Sequence, residues 1–287
     1  MVTLIDRLHN DTIGILDALP IEEFTLFSLD GVVSLLKQAI PIGSIYNLSK
    51  NRKVLDLIIV LEKGCTRKLD TFEDVMDMSL LGYDHSFCTL HTFGHLNQQI
   101  CKGDLFYSTA CVEENLIYMN SISQKLPSPS AQVYQKKNSY FNEVFKIEMS
   151  KASSFLKGAS YYANHINLEL SVFMLQQAVE LTYRCFLNLL RGKDMKSHSL
   201  STLRRNIIRY APKLIGVFSE KEEEELFYLD LLEKGYCEAR YNRAYRADKD
   251  TVAWLLQKVW ELHSKAFDLF ANMMIAMGRE SLKNKFD

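Results

Sequence analysis

Residues 167–190 read NLELSVFMLQQAVELTYRCFLNLL. Leu168, Val172, Leu175, Val179, Phe186 and Leu190 recur at spacings of three, four and seven, which is the period of an α-helix. Leu181 and Cys185 widen the stripe past one face, as expected of a central bundle helix rather than a surface one. Gln176, Gln177, Glu180 and Arg184 stand inside this apolar context. Glu180 precedes Arg184 by one helical turn, the favourable acid-before-base order. Amides and a carboxylate in such a helix must find partners, because a buried unpaired charge is costly. The group is therefore either a polar network that locks a bundle or a site.

Outward from this helix, everything on the C-terminal side keeps helical period. The pattern predicts helices near 139–164, 201–211, 219–245 and 249–277, with Ser201 capping the second and the acids from Glu220 onward starting the third. Toward the N-terminus, the stretch LPSPSA at Leu126–Ala131 reads as a linker. Before it the pattern changes: helices over 3–19 and 21–38, strands over 42–48 and 54–61, a helix over 69–81, a strand over 87–93, a short helix over 94–102 and a mixed element to 120. The stretch VLDLIIVL at 54–61 is nearly all apolar, so it is expected at the centre of a sheet, covered on both faces; Asp56 alone breaks it. The expectation is a two-domain α+β chain, with an α/β domain over 1–126, a linker over 127–138 and an all-α up-down bundle over 139–287.

With 287 residues, 47% hydrophobic and 24% charged, the chain can bury two cores. A formal net charge of −1 gives no overall attraction to nucleic acid or to a membrane, so any polyanion would have to be held by local charge. No stretch approaches the ~18 apolar residues of a membrane helix, and the start of the chain lacks the basic-then-apolar pattern of a signal peptide. Six cysteines with no C-x-x-C pair read as reduced thiols in a cytoplasmic protein, and no Cys/His spacing fits zinc.

Local charge does gather. Arg191, Lys193, Lys196, His198, Arg204, Arg205 and Arg209 lie in or beside one loop and its following helix. Arg240, Arg243 and Arg246 form a second cluster, interleaved with Tyr236, Tyr241 and Tyr245. Cations with aromatics between them suit phosphates and stacked bases, although cations also collect at solvated helix ends.

Two resemblances follow from these residues. Gly43-Ser44 followed by Asp56 on an apolar strand resembles the turn and metal-binding strand of minimal nucleotidyltransferases. That resemblance implies nucleotide binding at Gly43, Ser44 and Asp56, with Mg²⁺ brought by the nucleotide as the only cofactor. The sequence departs from the pattern at Val54, where a first carboxylate is expected, and in FCTLHTF, where His91 is the only polar candidate for a third ligand.

FMLQQAVELTYRCFLNLL, then GKDMKSHSLSTL, then YCEARY resembles a HEPN domain over roughly 140–277, through Phe173, Gln177, Ala178, Glu180, His198, Leu200, Leu203, Ala239, Arg240 and Tyr241. The resemblance implies a helical bundle, often dimeric, with a groove at Gln177, Glu180, Arg184, Lys193, His198, Arg240 and Tyr241. Members that cleave RNA carry Arg followed closely by His, whereas Arg240 here is followed by YNRAY. With both catalytic signatures incomplete, the expected function is a non-catalytic nucleotide- or RNA-binding protein of two modules, of the kind that serves as a stress or defence sensor. The alternatives are an enzyme with an unconventional site and a purely structural dimerisation module.

Overall fold

The computed structural model describes residues 29–49, 54–65, 69–72, 76, 85–191, 195–218 and 223–283. The helix expected at 3–19 lies outside these residues, as do Lys193, Glu220 and most of the helix expected at 69–81. The chain divides into two compact units: Met1–Phe93 with Leu116–Gln124, and Gly94–Asn115 with Lys125–Asp287. Residues 94–115, expected within the first domain, thus group with the helical unit.

The sheet unit holds α1 (Leu29–Ala39), β1 (Ile42–Asn47), β2 (Val54–Leu61), a 3₁₀ turn (Leu69–Phe72), β3 (His85–His91) and β4 (Leu116–Met119). The strands run in the order β3-β2-β1-β4, with β2 and β3 parallel and the other pairs antiparallel. The apolar run of β2 is central, and residues 55–61 are all at most 5% exposed. Leu55, Leu57, Ile59 and Leu61 cluster with Val32 and Leu36 of α1 and with Phe72. The alternation of strand side chains sends Asp56, Ile58 and Val60 to the opposite face, which is buried as well.

Gly43 is a bulge residue. Ile42 faces Leu61 and Ser44 faces Val60, so Gly43 is the extra residue between them. A Cβ at Gly43 would sit 3.0 Å from Ser123 Oγ and 3.2 Å from the Leu61 carbonyl oxygen, which explains the glycine.

The helical unit holds α2 (Phe93–Cys101), α3 (Leu105–Ala110), α4 (Ala131–Asn164), α5 (Leu168–Arg191), α6 (Leu200–Ile207), α7 (Pro212–Ile215), α8 (Glu223–Gly235), α9 (Glu238–Tyr241) and α10 (Lys249–Lys283). Helix α4 starts at Ala131, inside the expected linker, because Ser130 Oγ accepts from the Val133 amide and caps it. Ser199 rather than Ser201 caps α6, accepting from the Thr202 amide at 3.2 Å. Ser201 instead donates its amide to Glu233 Oε2.

Helix α5 is the core of this unit. Val172, Leu175, Val179, Tyr183, Phe186 and Leu187 have no exposed surface. Each such apolar side chain is worth about 1.5–3 kcal/mol of burial. Ser171 Oγ donates to the Ala159 carbonyl at 2.9 Å, tying α5 to α4. The short α4–α5 connection passes through Ile166, whose φ of 61° is left-handed although the residue is β-branched. Gly103, with φ 74°, lies where a Cβ would meet Val133 Cγ1 at 2.7 Å. Among the described residues no helix is long and apolar enough to cross a membrane.

Candidate functional site

The polar group inside α5 converges. Gln176 and Glu180 are 0% and 1% exposed. Gln176 Nε2 donates to Glu180 Oε2 at 3.2 Å and to the His198 carbonyl oxygen at 3.0 Å, so one amide ties the carboxylate to the loop after α5. Gln177 Nε2 donates to Gln176 Oε1 at 2.6 Å and to Glu180 Oε2 at 3.0 Å. Glu180 Oε1 receives Arg184 Nη1 at 3.4 Å and His198 Nδ1 at 2.9 Å. An ionised carboxylate only accepts hydrogen bonds, so the contact places a proton on His198 Nδ1. The burial cost of the charge is thus met by one guanidinium, one imidazole N–H and two amides.

The arrangement leads from the core to the surface. The Glu180 side chain is 2% exposed, Arg184 25% and His198 53%. His198 stacks on Tyr236, with ring centroids 4.4 Å apart and planes 12° from parallel. With Nδ1 held from behind, the Nε2 edge of a half-exposed imidazole remains for chemistry.

Arg240 meets the same tyrosine. Its guanidinium carbon lies 4.6 Å from the Tyr236 ring centre, 4.7 Å from Phe173 and 4.9 Å from Tyr241, so three rings surround the cation. Arg240 Nε donates to the Tyr236 carbonyl at 2.8 Å, which fixes the plane of the guanidinium. The residue is exposed, and Tyr241 is 77% exposed. A fixed guanidinium, a carboxylate-held imidazole and an open aromatic face can accept a phosphate and a stacked base together.

Of the residues singled out in the sequence, Gln177, Glu180, Arg184 and His198 therefore meet directly, and Arg240 and Tyr241 join them through Tyr236. Two others are corrected. Arg204, counted with the basic surface cluster, is 2% exposed, and it donates to Tyr183 Oη at 3.4 Å and the Phe218 carbonyl at 3.0 Å. Tyr245, read as one of the aromatics between the arginines of the second cluster, is 6% exposed and donates its hydroxyl to the Leu231 carbonyl; burial raises its pKa.

In the sheet unit the expected residues do not converge. Ser44 and Asp56 are both buried on one sheet face, but Ser44 pairs with Val60 whereas the Leu48 amide meets the Asp56 carbonyl. The two residues therefore lie four positions apart along the ladder, on the order of 13 Å. Gly43 forms the bulge between Ile42 and Ser44. No group of three His, Cys, Asp or Glu residues placed to hold a metal occurs among the described residues.

Residues 146–266 match the HEPN domain family. The match lies wholly within the helical unit and includes Phe173, Glu180, His198, Tyr236, Arg240 and Tyr241. No curated protein matches the chain.

Proposed function

We propose that the helical unit binds single-stranded RNA at the His198–Tyr236–Arg240 face, with a mononucleotide as the smallest fragment it recognises. The observation that carries this reading is the meeting of a fixed guanidinium and a carboxylate-held imidazole on one half-buried tyrosine ring, Tyr236. Arg240 takes a phosphate oxygen, and Tyr241 offers its open face to a base. The HEPN match is consistent with an RNA-related role. The near-neutral charge of the chain fits a site of a few phosphates rather than a long electropositive track. The sheet unit is given no nucleotide site, since its candidate residues are spread along the ladder.

Fluorescence anisotropy with a single-stranded RNA of about twelve nucleotides tests the proposal. Tyr241→Ala and Arg240→Ala should each weaken binding by about ten-fold, in line with ~1–3 kcal/mol for one stacked base. RNA affinity that survives both substitutions would remove the site from this face.

A second reading is favoured by the 2.9 Å contact between Glu180 and His198. A histidine oriented by a buried carboxylate can take the proton of a ribose 2′-hydroxyl, which then attacks the adjacent phosphorus and expels the 5′-oxygen. RNA fragments ending in a 2′,3′-cyclic phosphate, lost in His198→Asn, would mark this activity.

A further inference from the structure

The basic residues around the α5–α6 loop are not used by the His198–Tyr236–Arg240 face. With Arg204 in the core, Arg191, Lys196, Arg205 and Arg209 remain exposed or half-buried. Arg191 ends α5, where a cation can answer the helix dipole with no neighbour at all. Its side chain is instead held from outside the helix. Arg191 Nη1 donates to Asn206 Oδ1 of α6 at 2.7 Å, and the guanidinium carbon lies 5.9 Å from the centre of the Tyr210 ring. Tyr210 meets the buried Phe106 of α3 edge-on, with centroids 4.8 Å apart, so the platform is anchored in the core. Among the described residues no carboxylate meets Arg191, which leaves an oriented, exposed charge without an anion. Arg240 is built the same way: one hydrogen bond fixes its guanidinium beside a tyrosine ring.

The two guanidiniums mark the ends of one face of α5. Phe173, Gln177, Glu180, Arg184, Asn188 and Arg191 follow at steps of four, three, four, four and three, which keeps them on one side of the helix. Arg240 sits over Phe173 at one end, Arg191 is the other end, and the helical rise between them is about 27 Å. Glu180, the one acid on this face, is buried, and the other five are half-buried or exposed. The loop that carries the exposed Lys196 and His198 reaches the middle of the face at Glu180. A strand laid along it meets cations at both ends and at its middle, and no exposed carboxylate of that face. We infer that Arg191 is a second phosphate contact for the strand held at Arg240. The ligand of the helical unit is then an extended single strand of about five nucleotides or more, lying along α5. This inference rests on the RNA reading and adds to it the length, the path and the far contact.

Fluorescence anisotropy of the full chain with oligouridylates of about three and about eight nucleotides tests it. The longer strand should bind about ten-fold more tightly than the shorter, because only it reaches both arginines. Arg191→Glu should remove most of this gain and leave the shorter strand unaffected, with helical circular dichroism unchanged. Arg191→Gln should lower the slope of log affinity against log salt by about 0.7 for the longer strand alone, the value of one phosphate contact. Asn206→Ala keeps the charge but releases it, and should lose part of the gain. Arg240→Ala should weaken both lengths. Equal affinity for the two lengths, or an Arg191→Glu variant that binds the longer strand as the wild type does or weakens both alike, would overturn the inference and leave the Arg240 site standing. Binding of neither length would overturn the RNA reading together with it.

Discussion

The sheet and the bundle each drew attention in the sequence through a polar residue inside an apolar run, Asp56 in β2 and Glu180 in α5. Their surroundings differ. Around Glu180, four side chains from α5 and the following loop close on one carboxylate, and the last of them, His198, reaches the surface. Around Asp56, the residues expected to join it are spread along the strands, and the glycine thought to admit a phosphate relieves a bulge. A helix brings positions three and four apart together by its own geometry, whereas a strand pair does so only when the register cooperates.

The strongest way to break this comparison is Glu180→Ala. It leaves two amides, a guanidinium and an imidazole around a void, and it should lower the stability of the helical unit by about 2–4 kcal/mol, allowing for the partial exposure of Arg184 and His198. Denaturant unfolding followed by circular dichroism measures this, and an unchanged midpoint would show that the network contributes nothing. Asp56→Ala should cost about 1–3 kcal/mol through loss of a buried polar group, and it should leave RNA affinity untouched. A fall in affinity would return the site to the sheet.

Two smaller effects sharpen the picture of the bundle. Ile166→Gly removes a left-handed β-branched residue that is 84% exposed and should raise thermal stability by about 1 kcal/mol with RNA binding unaltered. His263 contacts Ser153 Oγ through Nε2 at 2.7 Å across α4 and α10, and burial holds its pKa below 6.5. The unfolded chain therefore binds a proton more readily than the folded one, so stability falls as pH drops below about 6.5. His263→Gln should flatten that slope, and an unchanged pH profile would remove His263 from the account.

Much of this was legible in the chain. The period of residues 167–190 identifies the central helix, and the apolar run of VLDLIIVL, broken by Asp56 alone, identifies the central strand. The bulge at Gly43 was not legible, because an extra residue in a ladder is a property of the pairing and not of either strand. Arg204 could have been read correctly. It stands with Leu200, Leu203 and Ile207 at helical steps of three, one and three, on the buried stripe, but its charge drew it into a surface cluster. Glu180 with Arg184 is visible as a helical pair, whereas His198 joins them through the Gln176 bond to its carbonyl and the Ser199 cap that follows it. In the sequence, Tyr236, the ring shared by His198 and Arg240, is one aromatic among several. Its role depends on where the α8–α9 junction lies against α5.

The central claim is that RNA is held by the bundle and not by the sheet. Photo-crosslinking of the full chain to a 4-thiouridine-substituted single-stranded RNA, followed by peptide mass spectrometry, tests this most directly. The account predicts adducts on peptides that carry Phe173, Tyr236 or Tyr241. Adducts confined to residues 42–61 of the sheet, with none in the helical unit, would contradict it.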